Sequence, residues 1–454
     1  MKLVYGVKDK PKFGQLIIFA LQQLLAIMTA TLVVPVVINQ ACGTAMSSAA
    51  ALLGAGLGTL VYVAFTKKKS PVFLGSSFAF IGSMIAAFAG GVSMSLGYLG
   101  LILGAIFAGL VYVVIAIIVK FAGVKWIDKV MPVVVIGPTV AIIGLSLAGN
   151  AVGDILKGSV PDVTASPLLT VLCGLITLII TILCSTYGKK TAKLIPFIIG
   201  ILGGYAAAGI FTAIGYAANL DSLKILNVAP FTALVADGVS LNTFLSVPDF
   251  TFLTAFKGFG ELTPAYISTI AVAYVPVAFV VFAEHIADHK NISSIIEAEL
   301  LEDPGLHRTL LGDGIGSIVG AFFGGCPNTT YGESVGCVAI TRNASVVTII
   351  GAAILAILIA FVSPFIAFVN SIPSCVMGGV CMALYGFIAV SGLKMIQNVN
   401  LNLNKNLFVV STILIAGIGG LTLTFGKITI TSIACALILG IIVNLIVSKA
   451  SDEE

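Results

Sequence analysis

The chain has 454 residues, of which 59% are hydrophobic and 9% charged, with a net charge of +4 and a mean hydropathy of +1.14. Soluble domains carry about 25% charged residues, so a large water-soluble core is excluded and a chain crossing the membrane many times is indicated. Eight cysteines stand singly in apolar stretches with no C-x-x-C pair, which reads as small buried hydrophobes; no metal, cofactor or nucleic-acid partner is expected.

The N-terminal "MKLVYGVKDKPKFG" has no short apolar region followed by a cleavage site, so no cleaved signal peptide is expected. Windows of roughly 20 apolar residues mark spans. They fall at 15–38, 46–65, 72–90, 97–119, 130–149, 167–186, 194–216, 264–284, 309–324, 328–342, 345–369, 373–393, 407–425 and 428–448. This predicts an all-α polytopic membrane protein of fourteen transmembrane segments. The ninth and tenth are short, and the third and tenth open with polar, glycine-containing pieces. Residues 217–263, the longest segment between spans, read as mildly amphipathic and interfacial.

Lysine and arginine set the orientation. With the N-terminus in the cytoplasm, only Lys157, Lys224, Lys257 and Lys427 fall outside; the other 19 of 23, Lys2, Lys125, Lys190 and Lys449 among them, fall inside. The positive-inside bias predicts both termini in the cytoplasm.

Two pairs of stretches answer each other. "GSSFA" from Gly75 opens the third span and "NTTYG" from Asn328 opens the tenth; "PVVVIG" from Pro132 lies in the fifth and "PSCVMG" from Pro373 in the twelfth. Each pair is offset by seven spans, and an odd offset reverses the direction of entry. Two inverted seven-span repeats are implied, in which broken helices face each other near the midplane and build a binding site. The hydroxyls of Ser76, Ser77, Thr329 and Thr330 are expected to serve neighbouring backbone. Phe78 and Tyr331 either pack or offer faces to a flat ligand.

Four carboxylates lie in or at the ends of apolar spans: Glu284, Asp288, Asp313 and Glu333. Carboxylates at membrane depth are costly and point to function. Glu284 and Asp288, at i and i+4, share one helical face; Asp288 reads equally as interfacial. Asp313 suits a bond to a neighbouring helix. His285 is off the Glu284 face, and His289 is expected one turn nearer water. A buried carboxyl can accept from ligand N–H groups and can carry a proton.

"FAEHIADHKNIS", "EDPGLHRTLLGDGIGSIVGAFFGGCPNTTYGESVGCVAITRN" and "GSSFAFIGSM" resemble the uracil permeases of the nucleobase–ascorbate transporter family, along essentially the whole chain. The resemblance implies short antiparallel strands in spans 3 and 10. It also implies a core domain of residues 1–130 and 264–370 and a gate domain of residues 131–263 and 371–454. It implies that Glu284 and Glu333 hold the base, that Phe78 packs near the ring, and that the backbone at Tyr331 and Gly332 meets its polar edge. Ala30 and Tyr385 would line the site, and we place Ser77 with them. Glu284, Glu333 and Asp288 are the candidates for proton coupling. Asp288 stands where the uracil branch often has His, and Ser334 where the family often has Asn. The expected activity is proton-coupled import of uracil across the cell membrane, by a homodimer embedded in lipid. Xanthine or another purine is the alternative substrate, and Na⁺ the alternative coupling ion.

Other classes fit less well. Isolated carboxylates at inverted breaks suit binding and release better than a conducting ring. No G-x-x-x-x-G-K-[ST] occurs to bind ATP. An intramembrane protease is suggested only by "LLGDG", so no enzyme is expected.

Overall fold

Backbone in an apolar medium must pair with itself, which leaves the helix as the default element. The computed structural model describes residues 3–123, 126, 129, 131–189, 191–236, 238–425 and 428–448. Lys2, Lys125, Lys190, Lys427 and Lys449, which enter the charge asymmetry, lie outside the described residues. In chain order the main elements are α1 (Phe13–Cys42), α2 (Ser48–Phe65), β1 (Leu74–Ser76), α3 (Ile81–Ala87), α4 (Met94–Ala122), α5 (Val133–Ser146), α6 (Pro167–Tyr187) and α7 (Pro196–Ala218). They continue with α8 (Pro264–Ile296), α9 (Leu306–Gly324), β2 (Asn328–Thr330), α10 (Gly332–Thr341), α11 (Val346–Ile359), α12 (Ser374–Met395), α13 (Asn404–Ile418), β3 (Leu423–Phe425), β4 (Ile428–Ile430) and α14 (Ser432–Val447). Among the described residues, eight helices are long and apolar enough to cross a membrane, and shorter apolar helices accompany them. The protein is a mostly helical, multi-pass membrane protein.

Local chemistry sets many of the helix ends. Ser47, Ser93 and Thr263 cap α2, α4 and α8 by accepting from backbone N–H groups in the first turn. Pro167, Pro196 and Pro264 start α6, α7 and α8, where a missing N–H costs nothing. Gly325, at φ 74°, ends α9 in the left-handed conformation that only glycine adopts freely.

Glycine rows bring two helices into backbone contact. Gly312, Gly316, Gly320 and Gly324 recur every fourth residue along α9 and all face α2: Gly316 meets Gly58, Gly320 meets Gly54, Gly312 meets Tyr62 and Phe65, and Gly324 meets Ala51. A methyl group at Gly54 would lie 2.7 Å from the Gly320 carbonyl oxygen, and one at Gly58 would lie 2.6 Å from that of Gly316. Lipid offers no hydrophobic drive for helix pairing, so close packing of small residues has to supply it. Around this pair, α4 packs on α8 and α9, and α11 packs on α1 and α2. A second group packs on itself: α12 against α5 and α6, α6 against α7, and α13 against α5 and α14.

β1 and β2 pair antiparallel, with Leu74 opposite Thr330, Gly75 opposite Thr329 and Ser76 opposite Asn328. The two stretches that match in sequence therefore touch in space. The backbone around them is satisfied from a distance. Leu74 N–H donates to Thr59 Oγ1 at 2.9 Å, Phe73 N–H to Ser334 Oγ at 2.9 Å, Ser77 N–H to the Pro327 carbonyl at 2.9 Å, and Tyr331 N–H to the Phe73 carbonyl at 3.2 Å.

Several expectations need correction. α8 runs on to Ile296 instead of stopping near 284, because its later turns are also covered: His289 and Ile292 are both 0% exposed. His289 is thus enclosed and not near water. Between α13 and α14 the chain makes a hairpin, β3 with β4, where continuous apolar character suggested helix alone. The expected hydroxyl-to-backbone bonds are not made: Thr330 gives its hydroxyl to Asp288 at 2.8 Å, and the hydroxyls of Ser76, Ser77 and Thr329 bond no backbone group.

Candidate functional site

β2 leads through Tyr331 directly into α10, and β1 leads through Ser77 and the single turn Phe78–Phe80 into α3. Two helix N-termini therefore start beside one small sheet. Their first-turn N–H groups have no partners one turn earlier in the helix, and their dipoles favour negative charge or polar acceptors. In front of this sheet lies a cavity of about 670 Å³.

The polar inner wall of the cavity is formed by Glu284 and Asp288 from α8, Thr329 and Thr330 from β2, and Tyr331, Gly332 and Glu333 at the start of α10. Phe78 closes it from the β1 side, and Val140, Phe197 and Ile388 give it an apolar flank from the other helix group. Glu284 and Asp288 face the cavity together, as their spacing predicts, and Asn291, a further turn along that face, lines it too. Lys193, Lys290, Asn291, Ser391 and Lys394 are exposed lining residues and mark its open end.

The polar groups differ in how they are satisfied. Asp288 Oδ2 accepts from Thr330, so it is held to the strand and is not interfacial; Asp288 is 8% exposed. Glu284 Oε2 and Thr329 Oγ1 are buried without a hydrogen-bond partner. Unpaired buried polar atoms also occur elsewhere among the described residues, at Ser76, Ser77 and Tyr385 for example, but Glu284 and Thr329 both line this cavity. The Tyr331 hydroxyl donates to the Ser76 carbonyl at 2.6 Å, which fixes the ring at the strand–helix junction. That bond ties Tyr331 to the β1 side, and leaves its backbone and that of Gly332 at the cavity wall.

Of the remaining expected site residues, Ala30, Ser77 and Tyr385 do not line the cavity. Ala30 and Ser77 are enclosed behind it, at 1% and 0% exposure. Tyr385 meets the site indirectly: its ring packs edge-on against Phe78, centroids 5.8 Å apart. This contact joins the two helix groups across the cavity. His285, His289 and Asp313 lie on the far side of α8 and do not reach it.

Sequence reasoning missed two supports. Ser334 Oγ accepts from Phe73 N–H and from the Gln23 side chain at 2.5 Å, so one hydroxyl pins α10 to β1 and to α1. Thr59 on α2 pins β1 from behind. Both bond to groups remote in sequence, and only their placement next to a helix break could have drawn notice. Among the described residues, no group of three His, Cys, Asp or Glu is arranged to hold a metal ion.

A sequence profile described as "Permease family" matches residues 14–426. The chain is 40% identical to the uracil permease of Bacillus caldolyticus, over 98% of this chain and 95% of that one. It is 37% identical to the uracil permease of Bacillus subtilis (strain 168), over 100% and 97%, and 36% identical to that of Escherichia coli (strain K12), over 97% and 93%. Among solved structures, the transmembrane domain of the cyanobacterium bicarbonate transporter BicA aligns over 97% of this chain and 100% of its own, with TM-score 0.63 and 14% identity. The murine anion transporter Slc26a9 aligns over 97% of this chain and 69% of its own, with TM-score 0.63 and 10% identity. These last two carry information about the fold alone.

Proposed function

The chain belongs to the permease family, whose named members are transporters and not enzymes, and we propose that it imports uracil across the cell membrane by proton symport. Relatives named uracil permeases support the substrate. The observation that carries the reading is the cavity in front of the β1–β2 sheet, where Glu284, Asp288 and Glu333 converge beside two helix starts.

Uracil offers two N–H donors and two carbonyl acceptors along one polar edge. Glu284, with an unpartnered carboxyl oxygen, accepts from ring N–H. Glu333, when protonated, donates to a carbonyl, and the backbone at Tyr331 and Gly332 completes the edge. Phe78 packs on the ring, held in place by Tyr385. Ala30 and Ser77 support this arrangement from behind the wall. Release of a proton from Glu333 removes a donor from the base and weakens its hold; Asp288, bonded to Thr330, and Glu284 are the other candidate carriers. Binding and coupling then share one set of groups.

The architecture we propose has fourteen segments in two inverted repeats of seven. Adding α9 and the β2–α10 unit to the eight long and four shorter apolar helices brings the number of segments to fourteen. The antiparallel pairing of β1 with β2 supports the inverted relation. The two helix groups support a core domain of residues 1–130 and 264–370 and a gate domain of residues 131–263 and 371–454. Movement of one group against the other across the Phe78–Tyr385 contact would alternate access. The positive-inside rule, applied to Lys193, Lys290 and Lys394 at the open end, supports a cytoplasmic location for that end and for both termini. We propose a homodimer in lipid as the assembled form.

The test is uptake of labelled uracil, xanthine and adenine by cells lacking their own permeases, with and without a protonophore. Uracil accumulation abolished by the protonophore is expected. Accumulation of xanthine in its place would reassign the substrate, and accumulation insensitive to protonophore but dependent on Na⁺ would reassign the coupling ion.

A further inference from the structure

The cavity has two chemically opposite ends. Its inner wall carries Glu284, Asp288 and Glu333, and its mouth carries Lys193, Lys290 and Lys394. Uracil is uncharged and has no use for three cations. Lysines are common on the cytoplasmic side for reasons of topology alone, but these three gather at the rim of one cavity. Among the described residues, Lys193, Lys290 and Lys394 have no hydrogen-bonded or ion-paired partner. They come from three separate elements, the turn Thr191–Leu194, α8 and the last turn of α12, yet border one cavity.

The scale fits a larger ligand than a base. Lys290 lies six residues beyond Glu284 on the same helix, or about 9 Å of rise. A flexible four-carbon stem adds reach from there. The cavity, at about 670 Å³, lies within the range of sites for molecules much larger than a single pyrimidine ring. A ligand that satisfies both ends has a pyrimidine base at one end and an anionic group roughly a nucleoside's length away.

We propose that the open cavity also binds a pyrimidine nucleoside monophosphate from the cytoplasmic side, with its base at Glu284 and Glu333 and its phosphate among Lys193, Lys290 and Lys394. This rests on the reading of the inner wall as the base site. The nucleotide keeps N3–H and both carbonyls, enough for one acceptor and one donor of that wall. With its sugar and phosphate filling the mouth, it blocks the movement that would carry a free base across, so it acts as an inhibitor and not as cargo. The class of reaction that consumes an imported base by attaching a ribose phosphate would then produce the ligand that halts import.

The test is titration calorimetry on the purified full chain with uracil, uridine, uridine 5′-monophosphate and inorganic phosphate as separate ligands. The monophosphate is expected to compete with uracil and to bind about tenfold more tightly than uridine, as two or three solvent-screened ion pairs would give. Added salt should shrink that difference. Replacing Lys193, Lys290 and Lys394 together by Gln should make uridine and its monophosphate equal while uracil affinity is kept. Equal affinity for the two in the unaltered protein overturns the proposal without any variant being needed, as does a preference that survives the triple replacement. Inorganic phosphate binding as tightly as the monophosphate also overturns it, since the base would then contribute nothing. Failure of uracil itself to bind is a different result: it removes the base site on which both readings stand.

Discussion

His285 Nδ1 lies 2.7 Å from Asp313 Oδ2, with both side chains at 0% exposure. The other ring nitrogen of His285 is 2.9 Å from Thr309 Oγ1, and the ring stacks on that of His289 at 4.0 Å between centroids. His289 Nε2 is 2.7 Å from the Tyr62 hydroxyl, which is 2.7 Å from Ser70 Oγ. This buried chain ties α8 to α2 and α9 on the side turned away from the cavity. It fixes the rotation of α8, and so the direction in which Glu284 and Asp288 point.

Removing one member of a buried hydrogen-bonded pair leaves the other unsatisfied, at a cost of about 1–3 kcal/mol. Asp313→Ala is therefore expected to lower the thermal unfolding midpoint of the detergent-purified protein, whereas Asp313→Asn, which can still bond the ring, should lower it less. Equal midpoints for Asp313→Ala and the parent would remove the pair from the account of stability.

The Ser334 hydroxyl holds α10 to Phe73 N–H and to Gln23. Ser334→Ala leaves a buried N–H without its acceptor, and should cost about 1–3 kcal/mol of stability. It should also weaken uracil binding, because the same bond seats the strand pair behind the cavity. Calorimetry on the purified variant measures both; unchanged affinity would show that the sheet is held by its own ladder.

Glycine contacts between α2 and α9 leave no room for a side chain. Gly54→Leu must push a helix away from the Gly320 carbonyl, and overpacking of this kind costs about 1–3 kcal/mol or more. At Gly209 in α7, by contrast, an added methyl group would meet nothing within 4 Å. Gly209→Ala is expected to be neutral, or slightly stabilising through helix propensity. Fluorescence-detected size exclusion of both variants checks the contrast, and a well-behaved Gly54→Leu protein would contradict it.

Orientation is testable by labelling from outside intact cells, in a background freed of the native cysteines. Ser240 and Lys68 are both exposed. A cysteine placed at position 240 should react and one at 68 should not. Reaction at 68 would reverse the topology drawn from the lysines. Ser70, though on the same side in sequence, is 0% exposed and would stay silent in either orientation.

The carboxylates were legible in the sequence because each stands out in an apolar run, and Glu284 with Asp288 because helical spacing puts them on one face. The strand pair was legible as two matching breaks. What the sequence does not display is contact between elements far apart along the chain. Thr59 and Ser334 look like ordinary small polar residues, and their roles depend on Leu74 and Phe73, the latter 261 positions from Ser334. His285 was visibly off the Glu284 face, but its partner sits 28 positions away. The three lysines at the cavity mouth read as topology signals until the fold brings them together. The β3–β4 hairpin was hidden because a short apolar run cannot be told from part of a buried helix by periodicity alone.

Glu333→Gln separates binding from coupling. The amide keeps a donor permanently, so the variant is expected to bind uracil and to lose proton-driven accumulation in uptake assays. Normal accumulation would move the coupling proton to Glu284 or Asp288.

The central claim is that Glu284 accepts a hydrogen bond from the base in a largely enclosed site. Loss of such a bond costs roughly 1.5–3 kcal/mol, about one to two decades in affinity. Calorimetric titration of uracil into purified parent and Glu284→Gln protein measures it directly. Binding by the parent and a fall of one to two decades in the variant is the predicted result; equal affinity in the two proteins would contradict it.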